Sequence, residues 1–389
     1  MTPPARSDSF SHEPVTTAIH TTMIHFKRLT CILTGTVLSI GMAAAVAQSV
    51  QGATDRAAPA AGIAPAIAPG LTAGVATRDA DWFDTARQRA VPVRVYLPAA
   101  ADSAAAGDPT AGNAASGATK WPLVIFSHGL GGSRLGYSHI GQHLARNGFV
   151  ALHLQHAGSD RAVWQGGPLT LLGNVRDAAS EANAVARVQD VSFALTTLLA
   201  DRELGRLIDT QAIAVAGHSY GANTAMLIAG ASIEREGKRI NYADARIKAA
   251  ILLSAPPFHG EGNQAAVLRD VRLPTLHITG SDDVIRVPGY GSDVADRIGV
   301  FRDMPAARPD TKFLAIFEGG EHSVFTDRTR SERALAIKTA TRDLCVAFLQ
   351  GVLKGDVAAM RGALAAAQPL LIDADRLMAR RLDAQLGSN

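Results

Sequence analysis

Ser219 stands in the run Val215-Ala-Gly-His-Ser-Tyr-Gly221, and Gly217-x-Ser219-x-Gly221 is the spelling of a nucleophilic serine held where a chain turns sharply from strand to helix. At such an elbow the serine takes a strained backbone conformation, and only small residues two positions to either side escape a clash. Five residues recur by chance, so their flanks decide. Upstream, residues 211–216 (QAIAVA) form a short apolar run with the length of a strand buried on both faces. Downstream, residues 222–231 are rich in Ala, Met, Leu and Ile without proline, as a helix requires. A serine hydroxyl so placed can attack a carbonyl carbon, provided that a base takes its proton and a carboxylate holds that base in the right tautomer.

In elbow enzymes the chain order is serine, acid, histidine. The histidines after Ser219 are His259, His277 and His322. His277 lies within an apolar strand and reads as a satisfied core or rim residue, and His259 precedes the best acid. His322, in the glycine-rich Glu318-Gly-Gly-Glu-His322 between a strand and the last long helix, is the expected base. The acid is expected in Thr279-Gly280-Ser281-Asp282-Asp283, where adjacent carboxylates point different ways. Asp283 carries the greater weight, three residues after Gly280, and Asp282 is the alternative, solvated or capping the next turn.

An oxyanion needs two backbone N–H donors. The residue after the nucleophile, Tyr220, offers one, and Leu130 in Ser127-His128-Gly129-Leu130-Gly131-Gly132 offers the other. Arg134 stands where a dinucleotide-binding G-x-G-x-x-G would need its last glycine, so no cofactor is implied. His139 and His143 share a helix but lack a third ligand, and no metal site is expected. The stretch from His156 to Val175 either lines a substrate pocket or packs on the core; His128, Trp164 and Leu169 are the pocket candidates. Arg187 and Asp190 read as a structural ion pair.

Elements that could position these residues alternate along the chain. Strands are expected at 91–97, 123–126, 150–154, 249–253, 275–278 and 313–317, with helices at 135–146, 181–199 and 333–349. The helices repeat apolar residues three and four apart: Tyr137, Ile140 and Leu144; Val188, Val191, Leu195 and Leu198; Ala336, Ala340, Leu344 and Phe348. Short all-apolar strands alternating with helices imply an α/β fold with a mainly parallel sheet covered on both faces and catalytic loops at the strands' carboxyl ends.

The chain has 389 residues, 47% hydrophobic, and a formal charge of +3 with scattered basic residues, so nothing points to nucleic acid. Lys27-Arg28, an apolar stretch over 29–46 and Ala45-Val46-Ala47 form the three regions of a secretory signal, with cleavage near Ala47 and Met23 a second candidate start. A membrane anchor is the competing reading, weakened by threonines and glycines in the apolar run. Residues 1–47 are therefore expected to be removed and the protein exported, periplasmic or secreted. Removal of Cys31 leaves Cys345 without a disulfide partner. Residues 48–80 read as an Ala/Pro/Gly-rich disordered linker, 81–355 as the catalytic domain with a low-complexity surface loop at 99–119, and 356–389 as a helical tail that packs on the domain or pairs with another chain.

F-S-H-G-L-G-G-S-R at 126–134, the helix and N-G-F-V-A that follow it, D-W-F-D-T-A-R-Q-R-A-V-P-V-R-V-Y-L-P at 81–98 and R-V-Q-D at 187–190 together resemble the platelet-activating-factor acetylhydrolases and their bacterial relatives labelled dienelactone hydrolases, within the α/β-hydrolase superfamily. The resemblance covers about residues 81–351. It implies a serine esterase acting on short-acyl esters, with a small-molecule or lipid ester as partner, transient contact with a lipid surface, Ser219, an aspartate and His322 as triad, and the Leu130 and Tyr220 amides as oxyanion hole. Two positions depart from the pattern. The animal enzymes carry the acid one strand earlier, where this chain reads Ser254-Ala-Pro-Pro257, and true dienelactone hydrolases use cysteine where Ser219 stands. Lipase-like or polyester-cleaving activity is the alternative. A noncatalytic binding module is remote, because every expected catalytic group is present.

Overall fold

The computed structural model describes residues 68–72, 74–105, 120–287 and 290–386. The leader and most of the linker expected at 1–80 lie outside them. β1 (Ala68–Thr72), β2 (Val75–Asp84) and β3 (Arg89–Pro98) are antiparallel neighbours at one side of the sheet. β4 (Trp121–Ser127), β5 (Val150–Leu154) and β6 (Ile208–His218) follow, then a separate hairpin of β7 (Ser232–Arg235) and β8 (Lys238–Asn241). β9 (Ala249–Leu253) and β10 (Thr275–Asp282) precede a second hairpin, β11 (Ile285–Val287) and β12 (Tyr290–Ser292), and β13 (Lys312–Glu321) ends the series.

The main sheet runs β1-β2-β3-β5-β4-β6-β9-β10-β13, parallel from β5 to β13. This is the α/β-hydrolase arrangement. The chain leaves β4 toward β5 and returns on the other side as β6, so the order reverses between the ends of β4 and β6, where open α/β sheets bind ligands.

Helices cover both faces. α1 (Ala99–Ala105), α4 (Glu181–Ala200) and α5 (Tyr220–Ile228) pack against Leu123, Ile125 and Val215 on one side; α2 (Ser138–Arg146) and α8 (Glu332–Lys354) pack against Val124, Phe126 and Ile251 on the other. Between these in chain order lie α3 (Pro168–Ala178), α6 (Gln264–Leu268) and α7 (Val294–Asp303). Val188, Val191, Leu195 and Leu198 are all buried, as their spacing requires. In α8 the buried face runs instead through Ala334, Ile337, Thr341, Leu344 and Phe348, one position from the expected stripe at its start.

Two boundaries differ from the sequence reading. Residues 68–72 and 75–80, read as linker, are strand, because β1 and β2 turn back on each other at Gly74 (φ +76°) and β3 pairs with β2 along ten residues. The first seven residues of the stretch read as a 99–119 loop form α1; alanine favours helix, Ala101 and Ala105 are buried, and Asp102 pairs with Arg78. Residues 106–119 lie outside the described residues. The tail forms α9 (Val357–Ala367) and α10 (Ala374–Leu386) and packs on the domain: the Ile372 amide donates to Ile316 O at 2.9 Å, and Arg380 pairs with Glu318 at 2.7 Å. It thereby covers β13, the edge strand of the sheet.

His277 is buried in β10, edge-on to Phe301, but neither ring nitrogen has a partner among the described residues, so it is core without being satisfied. Burial, and then Lys312, push its pKa from 6.5 down to about 3. Between these values the unfolded ring binds a proton that the folded ring refuses, so stability falls as pH falls, by about 1.4 kcal/mol per unit well inside the window. His277→Leu should remove this contribution: comparing urea unfolding at about pH 7 and pH 5, the loss of stability on acidification should shrink by about 2 kcal/mol. An unchanged pH dependence would show that the ring is already protonated or hydrated in the fold.

Candidate active site

Two steric contacts shape the turn at Ser219. A Cβ at Gly217 would sit 2.1 Å from Gly221 O, and one at Gly221 would sit 1.9 Å from Ser127 O. The glycines therefore let β6 end, α5 begin and the end of β4 approach in one place. Ser219 takes φ 55°, ψ −122°, a conformation costly for any residue with a Cβ, and its own amide donates to Leu253 O at 2.9 Å. The hydroxyl stands at the N-terminus of α5, where the helix dipole favours negative charge.

His322 follows β13 and Asp283 follows β10, and these two strands are neighbours. Their ends converge because neither Gly280 nor Gly320 carries a side chain: a Cβ on Gly280 would lie 2.0 Å from Gly320 O. His322 Nδ1 lies 2.7 Å from Asp283 Oδ1, and His322 Nε2 lies 2.9 Å from Ser219 Oγ. Since a carboxylate only accepts, Nδ1 carries the proton and Nε2 is free to accept from the serine hydroxyl. Asp282 is exposed and takes the Ser281 hydroxyl at 2.9 Å, so of the two adjacent carboxylates Asp283 is the one brought to the histidine.

Asp283 is fully buried. Its second oxygen accepts from Thr279 Oγ1 at 2.7 Å, and the Arg297 guanidinium lies 3.5 Å from the first. Burial alone would raise its pKa, but the hydrogen bond and charge of His322, with Arg297, outweigh it and hold the carboxyl well below the usual carboxylate range. Arg297, from α7, is anchored on Ser292 Oγ at 2.7 Å. No spacing or motif marks it in the sequence.

The loop after β4 is fixed amide by amide. Gly129 N donates to Tyr137 Oη at 3.3 Å, Gly131 N to Ser159 O at 2.8 Å and Gly132 N to Gly129 O at 3.0 Å. The Leu130 amide has no acceptor among the described residues, and the Tyr220 amide, first in α5, has no preceding turn to accept it. Both are available donors beside Ser219.

His218, inside the motif, ties these parts together. Its Nδ1 accepts from Tyr137 Oη at 2.8 Å and its Nε2 donates to His322 O at 2.9 Å. Burial, and then His322, push it down to about 3, so at neutral pH it is an uncharged brace between the Leu130 loop, the elbow and the base.

Around Ser219 opens a mostly apolar cleft of about 680 Å³, lined among others by Leu130, Leu135, Trp164, Val175, Phe258 and Tyr290. Trp164 lines it as expected, its Nε1 donating to Gly131 O at 3.0 Å. His128 does not. It is buried, donates from Nδ1 to Gly129 O at 2.6 Å and accepts the His156 amide at Nε2, bracing the loop from beneath. Leu169 falls in α3, and its side chain lies outside the described residues. Arg187 and Asp190 are buried but do not pair: Asp190 takes Arg87, Arg89 and His156, whereas Arg187 turns toward the Leu130 loop. His139 and His143 go to Phe325 O and Asp343.

The chain resembles known proteins in two stretches. Residues 89–165 match the family described as "Platelet-activating factor acetylhydrolase, isoform II", and residues 206–295 match the one described as "Serine hydrolase (FSH1)". The first stretch contains Leu130 and Trp164; the second contains Ser219 and Asp283 and stops short of His322. The chain is similar to a platelet-activating factor acetylhydrolase of Cavia porcellus, 30% identical over 134 residues, with 27% of this chain and 31% of that protein covered. The match thus spans less than a third of that relative's length. Among solved structures it is similar to a ferulic acid esterase from Streptomyces cinnamoneus (22% identity, TM-score 0.48, 74% of this chain and 92% of that one) and a cold-adapted esterase from an Arctic intertidal metagenomic library (17%, 0.42, 66% and 89%). Serine-hydrolase matches that take in first the Leu130 loop and then the elbow, on a sheet with this order of strands, make the chain similar to serine hydrolases of the α/β-hydrolase fold.

Proposed function

We propose that the protein is an exported serine carboxylesterase that cleaves short-acyl esters through Ser219, His322 and Asp283. The observation that carries this reading is the unbroken path from Ser219 Oγ through His322 to Asp283, at 2.9 and 2.7 Å, with the Leu130 and Tyr220 amides unspent beside it. His322 Nε2 accepts the hydroxyl proton as Ser219 Oγ bonds to the ester carbonyl carbon. The two amides donate to the carbonyl oxygen as it becomes negative, where donors set in advance act most strongly. His322 then protonates the departing alcohol, leaving an acyl-serine. Water, deprotonated by His322, attacks the acyl carbon; the bond to Ser219 Oγ breaks, the carboxylic acid leaves, and His322 returns the proton to Oγ.

Stoichiometric labelling by a fluorophosphonate, lost in Ser219→Ala, is the expected result. A folded wild-type protein that takes up no label and hydrolyses no ester would overturn the reading. A panel of p-nitrophenyl esters graded by acyl length should peak at short chains.

A second reading, a lipase-like or polyester-cleaving enzyme, draws support from Trp164 and Leu135, which line the cleft yet remain 43% and 39% exposed at its rim. Such a rim suits a substrate presented at a lipid or polymer surface. On that reading, the same panel peaks at long chains. Export rests on the three-part leader at residues 27–47; a mature N-terminus beginning near Gln48 is its expected signature.

A further inference from the structure

Arg187 is fully buried, yet among the described residues no carboxylate pairs with its guanidinium. Its partners are neutral: Nε donates to Thr224 Oγ1 at 2.9 Å, Nη1 to Ser159 Oγ at 2.8 Å, and Nη2 to Ser127 Oγ at 2.9 Å and to the His128 carbonyl. The guanidinium also lies over the Tyr220 ring, its central carbon 4.5 Å from the centroid. Burial lowers its pKa to about 10, so it remains a cation at neutral pH. A buried cation facing only dipoles and a ring is costly unless the contacts are numerous and well aimed.

These contacts are aimed at two places. The Ser127, His128 and Ser159 contacts belong to the Leu130 loop, because Ser159 O also receives the Gly131 amide. The Tyr220 and Thr224 contacts belong to the first turn of α5. Ser127 Oγ, having accepted from Arg187, gives its own proton to His156 Nε2 at 2.9 Å, and His156 Nδ1 donates to Asp190 at 3.0 Å. The planar fork is thus locked from behind. Lysine, with one nitrogen, could not reach four acceptors and stack as well.

We propose that Arg187 is a positioning residue that holds the two arms of the oxyanion hole at their working separation, by gripping the His128 carbonyl on the Leu130 arm and the Tyr220 ring on the other. The inference rests on the esterase reading above. Its effect should appear where negative charge develops on the substrate oxygen, without changing the supply of the nucleophile.

The test compares p-nitrophenyl acetate with its thiono analogue, whose sulfur makes poor use of the two amides. Arg187→Met should lower kcat on the oxygen ester by about 10²- to 10³-fold, the range seen when one oxyanion donor is lost. KM should stay nearly constant, the thionoester should lose much less, and Arg187→Lys should recover only part of the rate. Equal losses on both esters, or full activity in a folded Arg187→Met protein, would overturn the proposal. If Arg187→Met does not fold, Ser159→Ala removes one anchor and should give a smaller loss with the same oxygen-over-sulfur bias; a loss without that bias counts against it. Failure of the esterase reading is distinguishable, because the wild type would then turn over neither ester.

Discussion

His322→Ala should lower kcat on a short-acyl p-nitrophenyl ester by about 10⁶-fold. The histidine is the only group within hydrogen-bond reach of Ser219 Oγ among the described residues, at 2.9 Å, so its loss leaves an un-ionised hydroxyl to attack the ester. The variant should remain folded, because the His322 ring is partly open to the cleft and its structural bond to His218 is made by the backbone carbonyl. The double variant Ser219→Ala/His322→Ala should be no slower than either single one, since groups that act as a unit are lost together. Multiplicative losses, or substantial turnover in His322→Ala, would mean that another base serves Ser219.

Asp283→Asn is the second large effect, about 10⁴-fold in kcat. The carboxylate accepts at Oδ1 from His322 and at Oδ2 from Thr279, so an amide there must turn a donor toward one of them. Offered to His322 Nδ1, it selects the tautomer whose Nε2 carries the proton and cannot accept from Ser219. Asp282→Asn, at an exposed side chain that meets only Ser281, should change kcat less than about twofold. Steady-state kinetics of the pair decide the assignment, and a larger loss in Asp282→Asn would reverse it.

The elbow was legible because its constraint is steric and local: the glycines are set by contacts within the turn itself and with the adjacent end of β4. The meeting of Asp283 and His322 beside Ser219 was legible because the parallel sheet brings neighbouring strand ends together, and the alternation of short apolar strands with helices announced that sheet. What composition concealed was structure built on backbone pairing. Residues 68–72 and 75–80 look too poor in large side chains to fold, yet as β1 and part of β2 they pair backbone to backbone with their neighbours, and the small Val75, Ala76 and Ala80 are buried in the core. The helix at Ala99–Ala105 was hidden in the same way, in a stretch whose alanines resemble filler.

Side-chain direction was the other blind spot. Arg187 and Asp190 share one turn of α4, and that spacing suggests a pair, but each finds better partners on other elements. Arg297 reaches Asp283 from a helix that no motif announces, and whether His128 faces the cleft or the core depends on the path of its loop. These are properties of how distant segments meet, and one sequence does not encode them in any local pattern.

The close approach of Gly280 to Gly320 constrains how the protein can be altered. Because the acid and base loops touch main chain to main chain, the spacing between Asp283 and His322 is a property of two segments jointly. A graft that imports either loop alone from another hydrolase, with any side chain at its glycine, must push the strand ends apart and separate carboxylate from imidazole. The unit for recombination or redesign is therefore the pair of strand ends, moved together with both glycines.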